Sequence, residues 1–479
     1  MSVIKSVTIS DPISAFGEIS TAENRAFIQA TAAYNLIPAN FREYTSGTGT
    51  TGAEDGMFKV STGTGGIGSY GTIQSFRSLN YKAGEGGLGR FTGLFESSSA
   101  NSWQAVGMFT IGDELSFGFN GTAFGIWHRY GGLAEIRDLQ VTVAASGSES
   151  ATITLNGTAY VVPLTSGTVQ HNAFEIQEWF MANQAIWNAQ QVDDTVTFTA
   201  LSDSAKSGSY SLSSSTATGT FSQVTAGVTK TSTHIPEADW NGENITIDPT
   251  KGNVFQIQYQ YLGFGNIYFS IEDPDTGRFK LVHTLEYANL NTTPSLSNPS
   301  LHLGLYAVSI GSTDDLVVKS ASMAGFVQGL ESRTRNPRAE KNTQTISTTF
   351  TNVLTLRNSR VYNGKINQQE IEPVLISLAS ESGKNVELEI IGNPTVTGNR
   401  NYQDVGSNLL ADIDTSAVTY SSGGRLLFAT TVAGNDSVAI SLADLRLRIP
   451  PTLEFSIFAR VTSGASANFT ATLTWYEDI

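Results

Sequence analysis

The chain has 479 residues, with 28 Lys and Arg against 43 Asp and Glu, a formal net charge of −15, 52 Ser, 54 Thr, 46 Gly and no Cys. The acidic balance works against an electrostatic grip on nucleic acid, the lack of Cys excludes disulfide scaffolds, thiolate metal sites and Cys nucleophiles, and no stretch nears the ~20 apolar residues of a membrane span. Charged residues are only 15% and hydrophobic ones 40%, which argues for packed cores rather than disorder, and the length suggests about three domains.

The N-terminal run MSVIKSVTISDPIS lacks the apolar stretch of a signal peptide. Ser20–Tyr34 begins like a capping box at Ser20 and Glu23, yet Phe27–Tyr34 alternates, and we read it as a strand. Arg90–Glu96, Trp103–Thr110 and Leu115–Phe119 are strands; Asn120-Gly121 is a hairpin turn, since both residues tolerate positive φ; Thr122–Tyr130 returns. From about 139 to 233 the pattern changes. Ala151–Leu155, Ala159–Leu164 and Thr195–Leu201 are strand-like, but 172–191 reads as a helix. Its apolar stripe is Ile176, Phe180, Ile186 and Trp187, with Trp179 and Asn183 on or beside it. Asn172 is the expected N-cap and Glu175 its capping partner. This region is expected to be a small α+β domain inserted between residues 1–138 and 234–330, the two halves of one sandwich.

Period-two alternation is clearest in Val254–Tyr261, where Phe255, Ile257, Tyr259 and Tyr261 face one way and three Gln the other. With Asn266–Glu272 and Phe279–Leu285, joined by the tight turn Asp273–Gly277, it forms a three-stranded meander. Residues 331–343, polar and containing Pro337, read as a linker. Beyond them, 344–479 holds seven further strand patterns: Val353–Leu356, Val374–Ser377, Val386–Ile391, Arg425–Thr430, Val438–Ile440, Leu453–Ala459 and Phe469–Trp475. The expected fold is therefore mostly β: a β-sandwich or jelly roll with a small α+β insertion, then a second C-terminal sandwich.

Chemistry-bearing motifs are sparse. There is no GxSxG elbow, P-loop or HExxH, and the TGTGGIG run at 62–68 sits in an all-β region as a flexible turn. His128 and His283 lie on strands of the two sandwich halves, a pairing that would suit a metal or a catalytic couple; two separate imidazoles are the plainer reading. Asp113, Glu114, Glu272, Asp273 and Asp275 are the carboxylates to weigh for a glycosidase pair. Asp273–Gly277 has the look of a Ca²⁺ loop but lacks the downstream Glu, and hairpin chemistry explains it without a metal. No catalytic, cofactor or metal residue is assigned. The candidate ligand or partner surface is aromatic: Trp127, Trp240 and Tyr130, with Trp127 pointing away from Phe124 and Ile126, to a side of its sheet that is either covered by the insertion or exposed for a partner.

The order of segments resembles structural virion proteins of tailed bacteriophages, with relatives in large DNA viruses. The series runs from FIQATAAY around Ile28 and Gln29 through Asn80–Phe91, Phe91–Phe95, residues 112–132, Trp240, Ile245–Asn253, Tyr261–Gly265, Val282–Asn289 and Leu303–Ser309 to Trp475–Asp478. Tyr81, Lys82 and Ala83 stand where such proteins commonly carry a Pro before Gly, and Asp248-Pro249 replaces an Asn-Pro. The resemblance implies a concanavalin-like sandwich with an insertion, then a C-terminal sandwich, as a particle component of tail, baseplate, fibre or capsid-decoration type, built in the host cytoplasm and released in the virion. Its expected partners are copies of itself, with a trimer among the symmetries, and other virion proteins. A carbohydrate-binding receptor-recognition role on the same particle is the alternative, with a host-surface glycan as ligand; a glycoside hydrolase comes third.

Overall fold

The computed structural model describes residues 24–38, 40–183, 186–328, 336–381, 383–406 and 409–477. Strand alternation dominates, and among the described residues every inter-strand ladder is antiparallel. Three hydrophobic cores result, one per group of sheets.

The first core lies between a nine-stranded and a seven-stranded sheet. The seven-stranded sheet runs in the order Thr231–Pro236, Ala123–Tyr130, Glu114–Asn120, Ser102–Phe109, His302–Ser309, Tyr70–Ser78, Phe41–Ser46. The meander read from 254–285 forms one flank of the opposing sheet, with Asn253–Tyr259 paired to Gly86–Phe95. Phe255, Ile257 and Tyr259 point inward, and Phe117 stacks on Phe255 at 4.6 Å between ring centroids. Burying each such side chain contributes roughly 1.5–3 kcal/mol, which is why the alternation holds its register. Asn24–Thr31 is a strand paired to Ser322–Gln328; residues 20–23 of the Ser20–Tyr34 segment lie outside the described residues. At the 120–123 hairpin Asn120 pairs with Ala123, so the loop residues are Gly121, at φ +61°, and Thr122.

The second core belongs to residues 134–225. A four-stranded sheet (Trp187–Val192, Thr195–Asp203, Ala134–Val143, Thr218–Thr225), a three-stranded one (Thr158–Leu164, Glu149–Leu155, Ser211–Ser213) and one helix enclose it. The first strand starts at Ala134, earlier than the expected 139, and Thr231–Pro236 already belongs to the large sandwich. A single bridge between Leu133 and Val228 closes the neck.

The helix spans Val169–Asn183, not 172–191. Trp187–Val192 is a strand paired to Thr195–Asp203, and its own alternation buries Trp187 and Ala189. The apolar stripe read across 176–187 thus joined a helix face to a strand face. The N-cap is Thr168, whose Oγ1 accepts the His171 N–H at 3.1 Å. Asn172 instead lies buried in the first turn, where its Oδ1 accepts from the Ala145 N–H and its Nδ2 donates to Thr165 O and Glu175, each at 2.8 Å. Phe180 anchors the helix against Tyr160 and Phe198.

The third core lies between a four-stranded sheet (Asn336–Ile346, Ala467–Glu477, Ile371–Ser380, Ser437–Ser441) and an eight-stranded one centred on Thr351–Asn358, Glu454–Val461 and Val386–Gly392. The expected linker 331–343 is corrected over its second half: Asn336–Ile346 pairs residue for residue with Ala467–Glu477. It reads as a linker because most of its residues are exposed and polar, and it tolerates Pro337 because it is an edge strand.

The three groups are tied by polar contacts. Arg77 forks onto Glu370 at 2.9 and 3.2 Å, Ser78 donates to Gln368 O at 2.8 Å, and Arg42 donates to Pro451 O at 2.9 Å. Arg357 reaches from the third group to Gln177 of the helix at 3.0 Å. Among the described residues no helix is long and apolar enough to cross a membrane.

Candidate functional site

The aromatic candidates do not share one exposed platform. Trp127 does point off the core side of its sheet, as the alternation implies, but it is only 3% exposed. It lies in a small satellite cluster with Ala105, Phe109 and Tyr306, under Arg129, whose guanidinium sits 3.8 Å from its ring. Trp240 packs against the main core, edge-on to Phe117 and Phe124, and donates from Nε1 to Ile235 O at 3.2 Å. Tyr130 is half-buried and stacks on His128 at 4.9 Å. The sequence shows that these rings are large and amphipathic; it does not show which neighbours fold over them.

The acid and imidazole candidates are likewise separate, each held by its own partners. His128 meets Ser295 O at 2.7 Å, whereas His283 accepts the Asn241 N–H at 3.3 Å. Asp113 is buried and accepts backbone N–H groups from Ser297, Asn298 and Gly131. Burial raises its carboxyl above the usual range, against the pull of those donors. Asp273 closes its hairpin by accepting from Thr276 Oγ1 at 2.8 Å and pairing with Lys280 at 3.1 Å. Among the described residues no group of three His, Cys, Asp or Glu converges as a metal site.

What the fold does assemble is a cleft of about 410 Å³ on the outer face of the seven-stranded sheet. Strands 41–46, 70–78, 102–109, 114–120, 123–130 and 302–309 supply its floor; Leu201, Ser202 and Asp203 come from the insertion; Arg360, Ile366 and Gln368 come from the C-terminal group. Residues scattered over more than 320 positions meet there only because all three groups close on one sheet face.

At its base Arg129 and Glu114 form an ion pair at 2.8 Å, each almost fully buried. Tyr306 donates to Glu114 at 2.7 Å and Ser116 donates to the same oxygen. Burial pushes the Glu114 carboxyl up, but the Arg129 and Lys230 charges together with the Ser116 and Tyr306 hydrogen bonds hold the group below its ordinary range. The Arg129 guanidinium lies between Trp127 and Trp103, 3.8 and 4.8 Å from their rings, and its Nη2 has no hydrogen-bond partner. Lys230 pairs with Asp203 at 3.6 Å.

Arg360 is the second orphan. It is 5% exposed, its Nε has no partner, and no described carboxylate forms an ion pair with it. Burial, reinforced by the Arg42 charge and opposed by Tyr44, pulls its guanidinium down to about 10. His302 closes the far wall between Ser75 O and the Gln368 side chain. Burial and then the Arg42 charge push its imidazole down to about 4, so it is neutral.

No protein-family model matches this sequence, and no curated protein matches it. Among solved structures, the VP2 subviral particle of infectious bursal disease virus aligns at 10% identity over 84% of this chain and 83% of that one, with a TM-score of 0.12. The T=1 particles derived from the same virus give 11% identity, 84% and 80% coverage and a TM-score of 0.10. The Faustovirus major capsid protein gives 9% identity, 94% and 90% coverage and a TM-score of 0.11. Scores this low carry no argument about fold or function.

Proposed function

We propose that this chain is a structural subunit of a virus particle, a tail, baseplate, fibre or decoration component of a tailed bacteriophage. It works by associating with copies of itself and with neighbouring virion proteins, without catalytic turnover. The ordered resemblance of its segments to such proteins supports this reading, and so does an architecture of stacked β-layers cross-tied by buried polar contacts.

The observation that carries it is the pair of sheet edges at Arg425–Val432 and Ser437–Ser441. Each is the last strand of its sheet, on the same flank of the C-terminal sandwich. The second strand has no charge, and the first has only Arg425. Leu426, Ala429, Val438 and Ala439 are exposed, and Leu426 also rims a groove of about 770 Å³ against the N-terminal sandwich. Three of the other edges carry charge or cover. Thr50–Glu54 ends in a Glu held by Lys59 and Lys319; Asn336–Ile346 carries Arg338, Glu340 and Lys341; the backbone of Gly242 and Glu243 covers Phe279–Leu285. Monomeric proteins blunt edges with charge or cover. An unguarded pair suits strand-to-strand pairing between copies, and closed symmetry, a trimer included, keeps such pairing finite.

Light scattering coupled to size exclusion tests this. The wild-type chain is expected to form a defined oligomer, and the edge variants Val438→Lys and Thr430→Lys to run as folded monomers. A wild-type monomer at high concentration, or an oligomer indifferent to both lysines, refutes the reading.

A further inference from the structure

We infer that the cleft where the three groups meet is a binding site for an acidic saccharide, a sugar ring carrying one oxyanion. This goes beyond the assembly role and does not depend on it.

Charge is the first argument. Four cations line the cleft, Arg42, Arg129, Lys230 and Arg360, against two carboxylates, Glu114 and Asp203. The carboxylates pair with Arg129 and Lys230. Arg42 and Arg360 are left without a counter-charge among the described residues, in a chain whose net charge is −15. Among the described residues Arg42 donates to Pro451 O and lies over the Phe76 ring. Burying the unpaired Arg360 guanidinium near a second positive charge, that of Arg42, is unfavourable for folding alone. Such groups persist where a ligand supplies the missing charge, and guanidinium forks match oxyanions geometrically.

Hydrogen-bond accounting is the second argument. Arg129 Nη2 and Arg360 Nε are buried donors with no acceptor, and both residues line the same cleft. They come from different groups, one from the large sandwich and one from the C-terminal sandwich, so the cleft gathers under-satisfied guanidinium groups from both.

Shape and wall chemistry fix the rest of the ligand. At about 410 Å³ the cleft is in the range of small-molecule sites, and far larger than a bare inorganic anion. Trp103 and Phe109 offer apolar ring surface, while Tyr44, Tyr70, Thr72 and Ser232 offer hydroxyls. Aromatic faces beside convergent hydroxyl and amide groups match a ring that is apolar on its C–H face and hydroxylated at its rim.

The test is calorimetry and thermal-shift measurement on the full chain, in whatever oligomer it forms. The probes are glucuronate, a glucose phosphate ester and a glucose sulfate ester, against glucose, inorganic phosphate and inorganic sulfate at matched ionic strength. At least one acidic sugar is expected to bind roughly tenfold or more tightly than glucose and than either inorganic ion, the ratio a charge-assisted hydrogen bond supplies; the arm that binds identifies the oxyanion. Arg360→Met is expected to lose that preference while leaving the ligand-free melting temperature equal or higher, because it removes an unpaired buried charge. Should that variant fail to fold, Arg42→Gln, at a half-buried position, is expected to lose the preference by itself. The proposal is overturned if inorganic phosphate or sulfate binds as well as the sugar esters, which means an adventitious ion only. It is overturned equally if no probe binds, or if both variants retain wild-type affinity. These readouts are blind to oligomeric state, so their failure leaves the assembly reading standing, and the reverse holds too.

Discussion

Replacing Arg357 by Leu should loosen the insertion from the C-terminal sandwich, and the structure sets the size of the effect. Arg357 sits 4% exposed beside Asp412, to which it donates from Nη2 and Nε at 2.9 and 3.2 Å. Its other donations cross to the insertion, to Gln177 Oε1 at 3.0 Å and to Gln191 O, and its guanidinium lies 3.5 Å from the Tyr402 ring. Leu leaves Asp412 as a buried, uncompensated carboxylate, and breaking a buried pair in this way costs about 3–5 kcal/mol. Three separate cores make one global unfolding free energy ill-defined, so peptide-resolved hydrogen exchange is the suitable assay. Protection over 169–183 and 411–414 should fall by about two to four decades, at ~1.4 kcal/mol per decade. Replacing both partners, Arg357→Leu with Asp412→Leu, should restore much of it.

The sign of the pH effect follows from Asp412. Burial raises its carboxyl despite Arg357, so the folded state holds that proton more tightly than the unfolded state. Its contribution is therefore unfavourable above the folded value and is relieved as pH falls. Without Arg357 the folded value rises further, and the deficit of the single variant should shrink as pH falls through that raised value. The reasoning is refuted if the single variant keeps wild-type protection, or if the double variant is no better than the single one.

Two further outcomes follow from the same structure. His302 is held neutral at about 4, below its unfolded value; the unfolded chain binds the proton first, so stability contributed by this group is lost as pH drops from about 6.5 to about 4. Hydrogen exchange over 302–309 should show that loss, and His302→Gln should flatten it. Trp127 Nε1 is buried without a partner, so Trp127→Phe removes an unsatisfied donor along with some ring area and should shift stability by no more than about 1 kcal/mol, against about 3–5 kcal/mol for Trp127→Ala. Hydrogen exchange over Ala123–Tyr130 in the two variants settles it, and equal losses would show that the indole N–H matters.

Legibility in the sequence tracked how local each cause is. Alternation such as Phe255, Ile257 and Tyr259 against the intervening Gln depends only on which face is buried, and it is readable residue by residue. The helical stripe reads past the true end of the helix at Asn183, because Trp187 and Ala189 are apolar for a strand's reason and happen to continue it. Asn336–Ile346 passed for a linker because its ladder is satisfied by Ala467–Glu477, some 130 residues away. Thr395–Thr397, Tyr402–Asp404, Ala411–Asp414 and Thr419–Ser422 left no clear pattern, being three or four residues long.

The cleft was not legible at all. Nothing near Arg42, Arg129 or Arg360 in the sequence distinguishes them from other arginines, whereas Trp127 and Trp240, conspicuous in the sequence, pack against neighbours. By itself the sequence determined the β class, the composition of the faces and the presence of one helix, because these follow from short-range periodicity and the transfer of apolar side chains out of water. Only the tertiary structure decided which charges would lack partners and which sheet edges would stay open. Burial of a charge and exposure of an edge are properties of what lies opposite, and here what lies opposite comes from chain segments hundreds of residues apart.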